Sequence, residues 1–542
     1  MLSYRFPGGA PTPPSPEAWG PCPTPSVCLL RYRFPGGAPT PPSSEAWGPC
    51  PTPSVLRRFV PASFLRRYVG PAVATFKLPD DFRFGVATAG FQIEGGYNGE
   101  GEPANNWADW ERSGRVEPSG IALDFWNRAE DHLDLAAAAG CDAFRLSIEW
   151  ARCEPAEGEV DDDAFDRYAA ILDACATRGL RPLVTLHHFT HPGWLGPDFW
   201  LGPKSPDRFA AWAETAATRL ADRCHHWVTI NEPNIYALQT YLTGEFPPGK
   251  RFSMPSVVRS LDNLMAAHVL AYEAIHRVQP DAVVATNTYA FTVYEIDRLL
   301  TDVLLARASG VARADVGHWL EERRADYYEL LPVDLRALER LLRRIAASAV
   351  PLDKALPRTI GAVYASPHRR TLDVTQLDYY YPSAAGHFRP PGHRTAGGRN
   401  PLPYRMLWDD PPDPGGMTRF CRLDHAHGLD LWIVENGLCN RVRRGHVFPR
   451  LDGWDRVRYL REHVAAVVDA IDAGIPVTGY YHWTLADNYE WGSYEPRFGL
   501  YGIDRERGNR WLDTDSMGGR AAAEYKRIAD GLRAGDRTVV GR

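Results

Sequence analysis

Short apolar runs rich in β-branched and aromatic residues alternate with longer stretches rich in Ala, Leu and Arg, from residue 76 to about residue 535. The short runs predict strands, and the longer stretches predict helices. Eight runs predict strands, at residues 82–89, 143–150, 181–188, 226–233, 282–289, 374–382, 430–437 and 477–487. The stretches between them that predict helices include residues 124–139, 163–178, 206–223, 258–278 and 454–473.

This alternation is the pattern of βα units around a parallel sheet. Eight such units predict an α/β protein with a single (β/α)8 TIM barrel, spanning residues 76–535 and followed by a tail at residues 536–542. Barrels of this kind place their sites at the carboxyl ends of the strands.

The first 75 residues form a separate segment that is rich in Pro and Gly. Residues 4–27 recur at 32–55 with one difference, Pro16 against Ser44. Two copies are too few for a solenoid, and this composition argues against helices and inner strands. We therefore predict a disordered, duplicated low-complexity leader. A proline-rich docking tail, a recent DNA duplication and an overextended gene start are alternatives that the sequence leaves open.

The composition, with 44% hydrophobic and 24% charged residues, fits a globular protein with a large core. A net charge of -6 gives no basic surface for nucleic acid. No apolar run approaches the ~20 residues that cross a bilayer, and no signal peptide is recognisable. The nine cysteines are odd in number and lack a CxxC pair, which favours reduced thiols. We predict a cytoplasmic protein without a membrane partner, whose oligomeric state stays open.

Polar and aromatic side chains end or follow nearly every predicted strand. Because the strands of a barrel end at one face, we expect these side chains to converge there. They are Gln92, Glu94, Arg145, His187, His188, Asn231, Glu232, Asn287, Asp378, Tyr380, Glu435, Asn436, His482, Trp483, Asp487 and Asn488.

Two of these residues are carboxylates that end the fourth and seventh strands, in VTINEPN at 228–234 and IVENG at 433–437. Taken singly, Glu232 could be a strand-end residue that Pro233 biases toward an extended conformation, and Glu435 could be the partner of an arginine. Facing each other across the barrel mouth, the two groups fit glycoside hydrolysis. At a separation of ~5 to 5.5 Å one is a nucleophile and the anomeric configuration is retained. Burial and like charge would keep the other protonated.

Five blocks carry a family resemblance: FRFGVATAGFQIEG at 82–95, FRLSIEW at 144–150, TINEPN at 229–234, IVENG at 433–437 and YHWTLADNYEWGSYEPRFGLYGID at 481–504. Residues from about 76 to 532 resemble the family 1 glycoside hydrolases, the β-glucosidase family. The resemblance implies a retaining β-glycosidase that hydrolyses terminal non-reducing β-D-glucosyl O-glycosides through a covalent glycosyl-enzyme. Fucosides and galactosides are further candidate substrates. The chemistry requires no metal or organic cofactor.

The resemblance also implies the roles of individual residues. Glu232 would be the acid/base and Glu435 the nucleophile, which Arg145 and Tyr380 would support. The implied substrate-binding residues are Gln92, His188, Asn231, Trp483, Glu490 and Trp491.

Some positions narrow the substrate. The Glu490-Trp491 pair is the family's pattern for an unmodified sugar, and GSYEPRF at 492–498 lacks the lysine of the members that act on 6-phosphorylated sugars. Plant thioglucosidases of the family carry glutamine in place of the acid, so Glu232 favours O-glycosides.

Three features depart from the family. Phe189 stands where tryptophan is usual, and Asp378 stands where asparagine is usual. We expect the charge of Asp378 to shift the pH profile. Residues of about 295–370 do not match the usual connection, and we expect them to shape the leaving-group side.

Two alternatives remain. A sugar-binding protein without activity would be expected to lack one carboxylate, and both are present. A transglycosidase would use the same residues, with an acceptor in place of water, and the sequence does not separate it from a hydrolase.

Overall fold

The structure is a computed structural model. The predicted leader, residues 1–75, and its three cysteines lie outside the residues that it describes. These are residues 76–330, 337–350, 352, 354, 356–382, 394–395, 398–399, 412–425, 428–443 and 446–542.

Nine parallel strands, β1 to β9 in chain order, form the barrel and confirm the predicted fold. β5 and β6 lie at the two ends of the strand order. They are two halves of one chain segment that is interrupted at Thr286, so the barrel corresponds to eight strands. The strands are Arg83–Ala87, Ala143–Ser147, Arg181–Thr185, His226–Val228, Val283–Ala285, Asn287–Tyr289, Thr375–Asp378, Leu431–Asn436 and Val477–Trp483.

Helices form an outer layer, and the five predicted stretches correspond to Phe125–Ala138, Asp162–Thr177, Ser205–Leu220, Met254–Val278 and Arg456–Asp472. Two of them are preceded by an aspartate, Asp161 or Asp455, whose side chain accepts a hydrogen bond from a backbone N–H of the first turn. The other α-helices are Gly90–Ile93, Ala108–Arg112, Trp150–Cys153, Pro233–Leu238, Arg298–Leu305, Val316–Leu330, Ala337–Ala349, Pro357–Ala365, Pro414–His425 and Ala521–Arg533.

Short elements complete the described structure. Asn440–Arg443 pairs with His446–Phe448 and with Pro496–Arg497, Ile503–Asp504 pairs with Arg510–Trp511, and Arg394–Thr395 pairs with Gly398–Arg399. Single turns of 3-10 helix lie at Gly193–Leu195, Phe199–Leu201, Tyr294–Ile296, Arg313–Asp315, Arg505–Arg507 and Arg537–Val540, and a π-helical turn lies at Gln239–Thr243.

The C-terminal residues 536–542 pack on the outer layer. Val539 and Val540 are buried, and Arg527 Nη2 donates to the carbonyl oxygen of Val539 at 2.6 Å. Arg542 forms an ion pair of 2.9 Å with Asp469.

Six described cysteines are buried and free. Within the described ranges, every helix is too short or too polar to cross a bilayer.

The predicted strands extend beyond the observed ones at their carboxyl ends. The run 226–233 predicts one strand, but β4 ends at Val228 and a helix already begins at Pro233. The run 143–150 likewise ends as a strand at Ser147, and Trp150 begins a helix. The apolar residues continue past the hydrogen-bonded ladder because these segments stay buried at the barrel mouth.

Candidate active site

A cavity opens at the carboxyl ends of the barrel strands, with an empty volume of about 720 Å³ that includes open solvent. This volume is in the range of small-molecule sites. Seven residues that the sequence predicted for the site line it: His188, Glu232, Tyr380, Glu435, Trp483, Glu490 and Trp491.

Gln92, Arg145 and Asn231 are fully buried behind this wall and reach it through hydrogen bonds. Gln92 Nε2 donates to the carbonyl oxygen of Tyr489, the residue before Glu490, at 2.8 Å. Arg145 contacts Glu435 and also donates to Asn231 Oδ1. The structure therefore brings all ten predicted site residues together, seven on the cavity surface and three beneath it.

Glu435 lies in β8, and both of its carboxylate oxygens accept hydrogen bonds. Arg145 Nη1 lies 2.7 Å from Oε1, and the Tyr380 hydroxyl lies 3.0 Å from Oε2. Burial raises the pKa of Glu435 above its ordinary value, while the Arg145 charge and the Tyr380 hydrogen bond oppose that rise. These partners favour the ionised form.

Glu232 precedes the helix Pro233–Leu238 and has a left-handed backbone, with φ +38° and ψ +62°. The extended conformation considered for it is therefore wrong. The strand ends at Val228, and the backbone N–H of Asn231 donates to the carbonyl oxygen of His187, so Glu232 turns the chain into the helix. Burial, then the charges of Asp378 and Glu435, hold the pKa of Glu232 well above its ordinary value.

A third carboxylate, Asp378 at the end of β7, lies with this pair. One oxygen from each of Glu232, Asp378 and Glu435 lies within 4.8 Å of the other two. Asp378 is fully buried and accepts a hydrogen bond from Asn287 Nδ2. Oxygen atoms at this spacing could also hold a cation.

Aromatic rings surround the remaining wall. The His188 ring lies between Trp483 and Trp491, with both pairs of ring centroids 5.8 Å apart and nearly parallel planes. Trp483 Nε1 donates to Glu490 Oε1 at 2.9 Å. Burial holds the pKa of His188 well below its ordinary value, so its ring is neutral, and raises that of Glu490 to about 8.

A family model matches most of the chain. The model described as "Glycosyl hydrolase family 1" matches residues 74–342 and 369–516. The chain belongs to glycosyl hydrolase family 1. Because the match stops at residue 342 and resumes at 369, the unmatched part is shorter than the predicted 295–370 segment.

Relatives of this family 1 protein carry two kinds of name. It is 26% identical to beta-glucosidase 5 of Oryza sativa subsp. japonica, over 79% of this chain and 85% of the relative. It is also 26% identical to 6-phospho-beta-galactosidase 1 of Streptococcus pneumoniae, over 81% and 97%, and 28% identical to the beta-glucosidase of Agrobacterium sp., over 86% and 99%. The coarse activity is thus that of a family 1 β-glycosidase, and the sugar is not decided by these names.

Solved structures share the fold. The beta-glucosidase from Thermotoga maritima in complex with azafagomine has a TM-score of 0.63 and 22% identity, covering 84% of this chain and 99% of that one.

Several polar residues at the strand ends do not reach the cavity of this family 1 protein. His187 accepts a hydrogen bond from Trp200 Nε1, and Glu94 accepts one from Tyr168. Others that lie away from the wall are Asn287, Asp378, Asn436, His482, Asp487 and Asn488. These side chains belong to the buried support of the barrel.

The cavity wall also has members that the sequence analysis missed. Ile235 and Gln239 follow Glu232 by three and seven residues, the spacing of one helix face, which could have indicated them. The others are Tyr289, Glu245, Phe246 and Phe498. Phe189, noted above as a departure from the family, also lines the cavity. Among the described residues, none from 295–370 lines the cavity, so the expectation that this segment shapes the outer, leaving-group side stays a prediction.

Proposed function

We propose that this family 1 enzyme is a retaining β-glycosidase that hydrolyses terminal non-reducing β-D-glucosyl O-glycosides through a covalent glycosyl-enzyme. The observation that carries the proposal is the approach of carboxylate oxygens of Glu232 and Glu435 to within 4.8 Å. Retaining glycosidases hold these carboxyl groups about 5 to 5.5 Å apart, whereas inverting ones leave roughly 6.5 to 9.5 Å for a water molecule.

The neighbours of the two carboxyl groups support different roles for them. Glu435, with an arginine and a tyrosine on its two oxygens, is the ionised nucleophile that attacks the anomeric carbon. Glu232, whose pKa is raised, protonates the leaving oxygen and then takes a proton from the water that releases the sugar.

Unpaired polar atoms support the binding of sugar hydroxyls. Gln92 Oε1, His188 Nδ1 and Asn231 Nδ2 are buried and have no hydrogen-bond partner among the described residues. Buried polar atoms are rarely left unpaired, so a ligand with hydroxyl groups would satisfy them. Asn231, next to Glu232, is placed to bond the 2-hydroxyl, and Trp483 and Trp491 offer apolar faces to the sugar ring.

The cavity wall favours an unphosphorylated sugar over the 6-phosphorylated sugars named for some relatives. Its described members include no lysine or arginine, and they do include the acidic Glu490. A phosphate would meet a carboxyl group without a cation to pair with.

The residues that follow Glu232 support a leaving-group region. Ile235 lies in the helix that follows Glu232, and Gln239 begins the π-helical turn after that helix. Glu245 and Phe246 follow on the same wall. The aryl or alkyl group on the leaving oxygen that Glu232 protonates would contact these residues.

A panel of aryl glycosides tests the proposal. We expect turnover of the β-D-glucoside, with the β-D-galactoside and β-D-fucoside as further candidates, and none of the aryl 6-phospho-β-D-galactoside. NMR of the first product should show the β anomer. An initial α anomer, or no release from any unphosphorylated substrate by folded protein, would refute the proposal.

Glu435→Gln tests the nucleophile. We expect loss of turnover by at least about 10³-fold, because the neutral amide cannot form the glycosyl-enzyme. Glu495→Gln is the matched control, since Glu495 is an exposed glutamate outside the cavity. Normal activity of Glu435→Gln would show that another residue attacks the sugar.

A further inference from the structure

Asp378 places a third acidic group behind the two carboxyl groups of the proposed reaction. It ends β7, it is fully buried, and it is not part of the cavity wall. It therefore acts on a substrate through its neighbours, of which Glu232 and Glu435 have oxygens within 4.8 Å of one of its own.

Three carboxylates at this spacing cannot all be ionised in a buried site, because each charge disfavours the next. Arg145 is the cation in contact with the group, and it is already paired with Glu435 at 2.7 Å. Among the described residues, the other titratable groups on the cavity wall are His188, Glu245, Tyr289, Tyr380 and Glu490, and none of them adds a positive charge when His188 is neutral.

The hydrogen bonds show where a proton fits. Both oxygens of Glu435 accept bonds from other residues, and Asp378 Oδ2 accepts one from Asn287. Glu232 Oε1 and Asp378 Oδ1 are buried and have no donor among the described residues. One oxygen of Glu232 and one of Asp378 lie within 4.8 Å of each other. A single proton shared by these two carboxyl groups would supply the missing donor.

We propose that Asp378 is a positioning residue for the acid/base, and that it shares one proton with Glu232 and so keeps Glu232 in the protonated form that acts as the acid. This inference rests on the proposed function. Carboxyl pairs that share a proton in this way are known from other acid catalysts. The direction of the pKa of Glu232, raised in part by the charge of Asp378, agrees with it.

The shared proton has consequences for both steps of hydrolysis. In the first step, the bond from the anomeric carbon to the leaving oxygen breaks, Glu435 bonds to that carbon, and the proton passes from Glu232 to the leaving oxygen. Glu232 and Asp378 are then both ionised, which makes Glu232 a stronger base. In the second step, Glu232 takes a proton from water, the water oxygen bonds to the carbon, and Glu435 is released.

The pH profile of Asp378→Asn tests the inference. We expect the alkaline limb of the kcat/KM profile for an aryl β-D-glucoside to shift to lower pH by at least about one unit, because the neighbouring negative charge of Asp378 has been removed. The acid limb should move less, since Glu435 keeps Arg145 and Tyr380. Asp378→Ser is measured in the same way if Asp378→Asn does not fold. An unchanged alkaline limb in a folded variant would overturn the inference.

A second readout does not need turnover. Infrared difference spectra of the full-length protein follow the band of protonated carboxyl groups against pH. We expect Asp378→Asn and Glu232→Gln to lose the same alkaline component that the wild type shows, and a component kept in both would overturn the inference. If this result holds but no glycoside is cleaved, only the proposed function fails. A wild-type pH profile that moves after treatment with a chelator would also overturn it, because a cation would then neutralise the carboxylates.

Discussion

At the residue scale, Glu232 and Glu435 carry the same functional group, and their neighbours separate them. Glu435 accepts hydrogen bonds from Arg145 and Tyr380, whereas Glu232 has one buried oxygen without a donor in the described part of the chain. Partners that bond the charged form lower the pKa of an acid, and burial without such partners raises it. The two roles therefore come from the surroundings of each carboxyl group.

The loss of activity in Glu232→Ala should depend strongly on the leaving group of the substrate. For a poor leaving group such as an alkyl alcohol, we expect a loss of roughly 10² to 10⁴-fold in kcat/KM, because the departing oxygen needs a proton. A dinitrophenyl glucoside should lose much less in its first step, since that leaving group departs unprotonated. Both are measured on the same enzyme preparation, and equal losses would argue against an acid role.

Arg145 is central to the stability of the site, because it donates to Glu435, Asn231 and Thr185 while fully buried. Breaking a buried pair leaves a charge without compensation, so Arg145→Met should lower the free energy of unfolding by about 3 to 5 kcal/mol. Arg145→Lys should lose less, since the charge is kept. Urea unfolding measures both.

The control for Arg145 is Arg458→Met, which removes an exposed ion pair with Glu462 of 2.7 Å. We expect that change to cost less than about 1 kcal/mol. Similar losses for Arg458→Met and Arg145→Met would show that burial of the Arg145 pair is not what makes it important.

At the scale of elements, the site depends on where adjacent strands end. Glu435 lies one residue before the end of β8, and Trp483 is the last residue of β9, which pairs with β8. Gly437 follows β8, and a Cβ atom on it would lie 2.1 Å from the carbonyl oxygen of Trp483. The two strand ends can approach this closely because residue 437 has no side chain.

Gly437→Ala should therefore separate these strand ends. We expect a loss of about 1 to 3 kcal/mol in the free energy of unfolding, as for other overpacked positions, together with reduced kcat because Glu435 moves. Gly361→Ala is the control. Gly361 lies in the helix Pro357–Ala365, and the nearest atom to a Cβ on it would be Arg313 Nη2 at 3.9 Å. We therefore expect equal or higher stability for Gly361→Ala. Full activity of Gly437→Ala would contradict the close approach.

At the scale of the whole molecule, carboxyl groups are buried in several places. Burial raises the pKa of Glu149, Asp297 and Glu490 to about 8 each. A carboxyl group whose pKa is raised on folding contributes stability that is complete below its unfolded pKa and is lost as the pH rises through the folded value. Buried histidines such as His132, with a pKa lowered to about 4, act in the opposite sense below their ordinary 6.5.

The free energy of unfolding should therefore fall as the pH rises from 6.5 to 8, because the buried histidines no longer change it with pH in this range. Each buried carboxyl group adds a slope of up to about 1.4 kcal/mol per pH unit. Glu149→Gln should reduce the slope, because the amide keeps an acceptor for the Thr190 hydroxyl, 2.7 Å from the carboxylate, and does not ionise. Urea unfolding at several pH values measures the slope, and an unchanged or steeper slope in the variant would contradict the assignment.

The sequence alone determined the chain order of the strands, the barrel and the two carboxylates, because buried parallel strands and the polar residues after them are local patterns. It did not determine the strand ends, the break at Thr286 or the left-handed backbone of Glu232, because these depend on which backbone groups find partners in neighbouring strands. Only the tertiary structure placed Asp378 beside Glu232 and Glu435. The three residues are far apart in the chain, and whether their charges coexist depends on distance and burial in space.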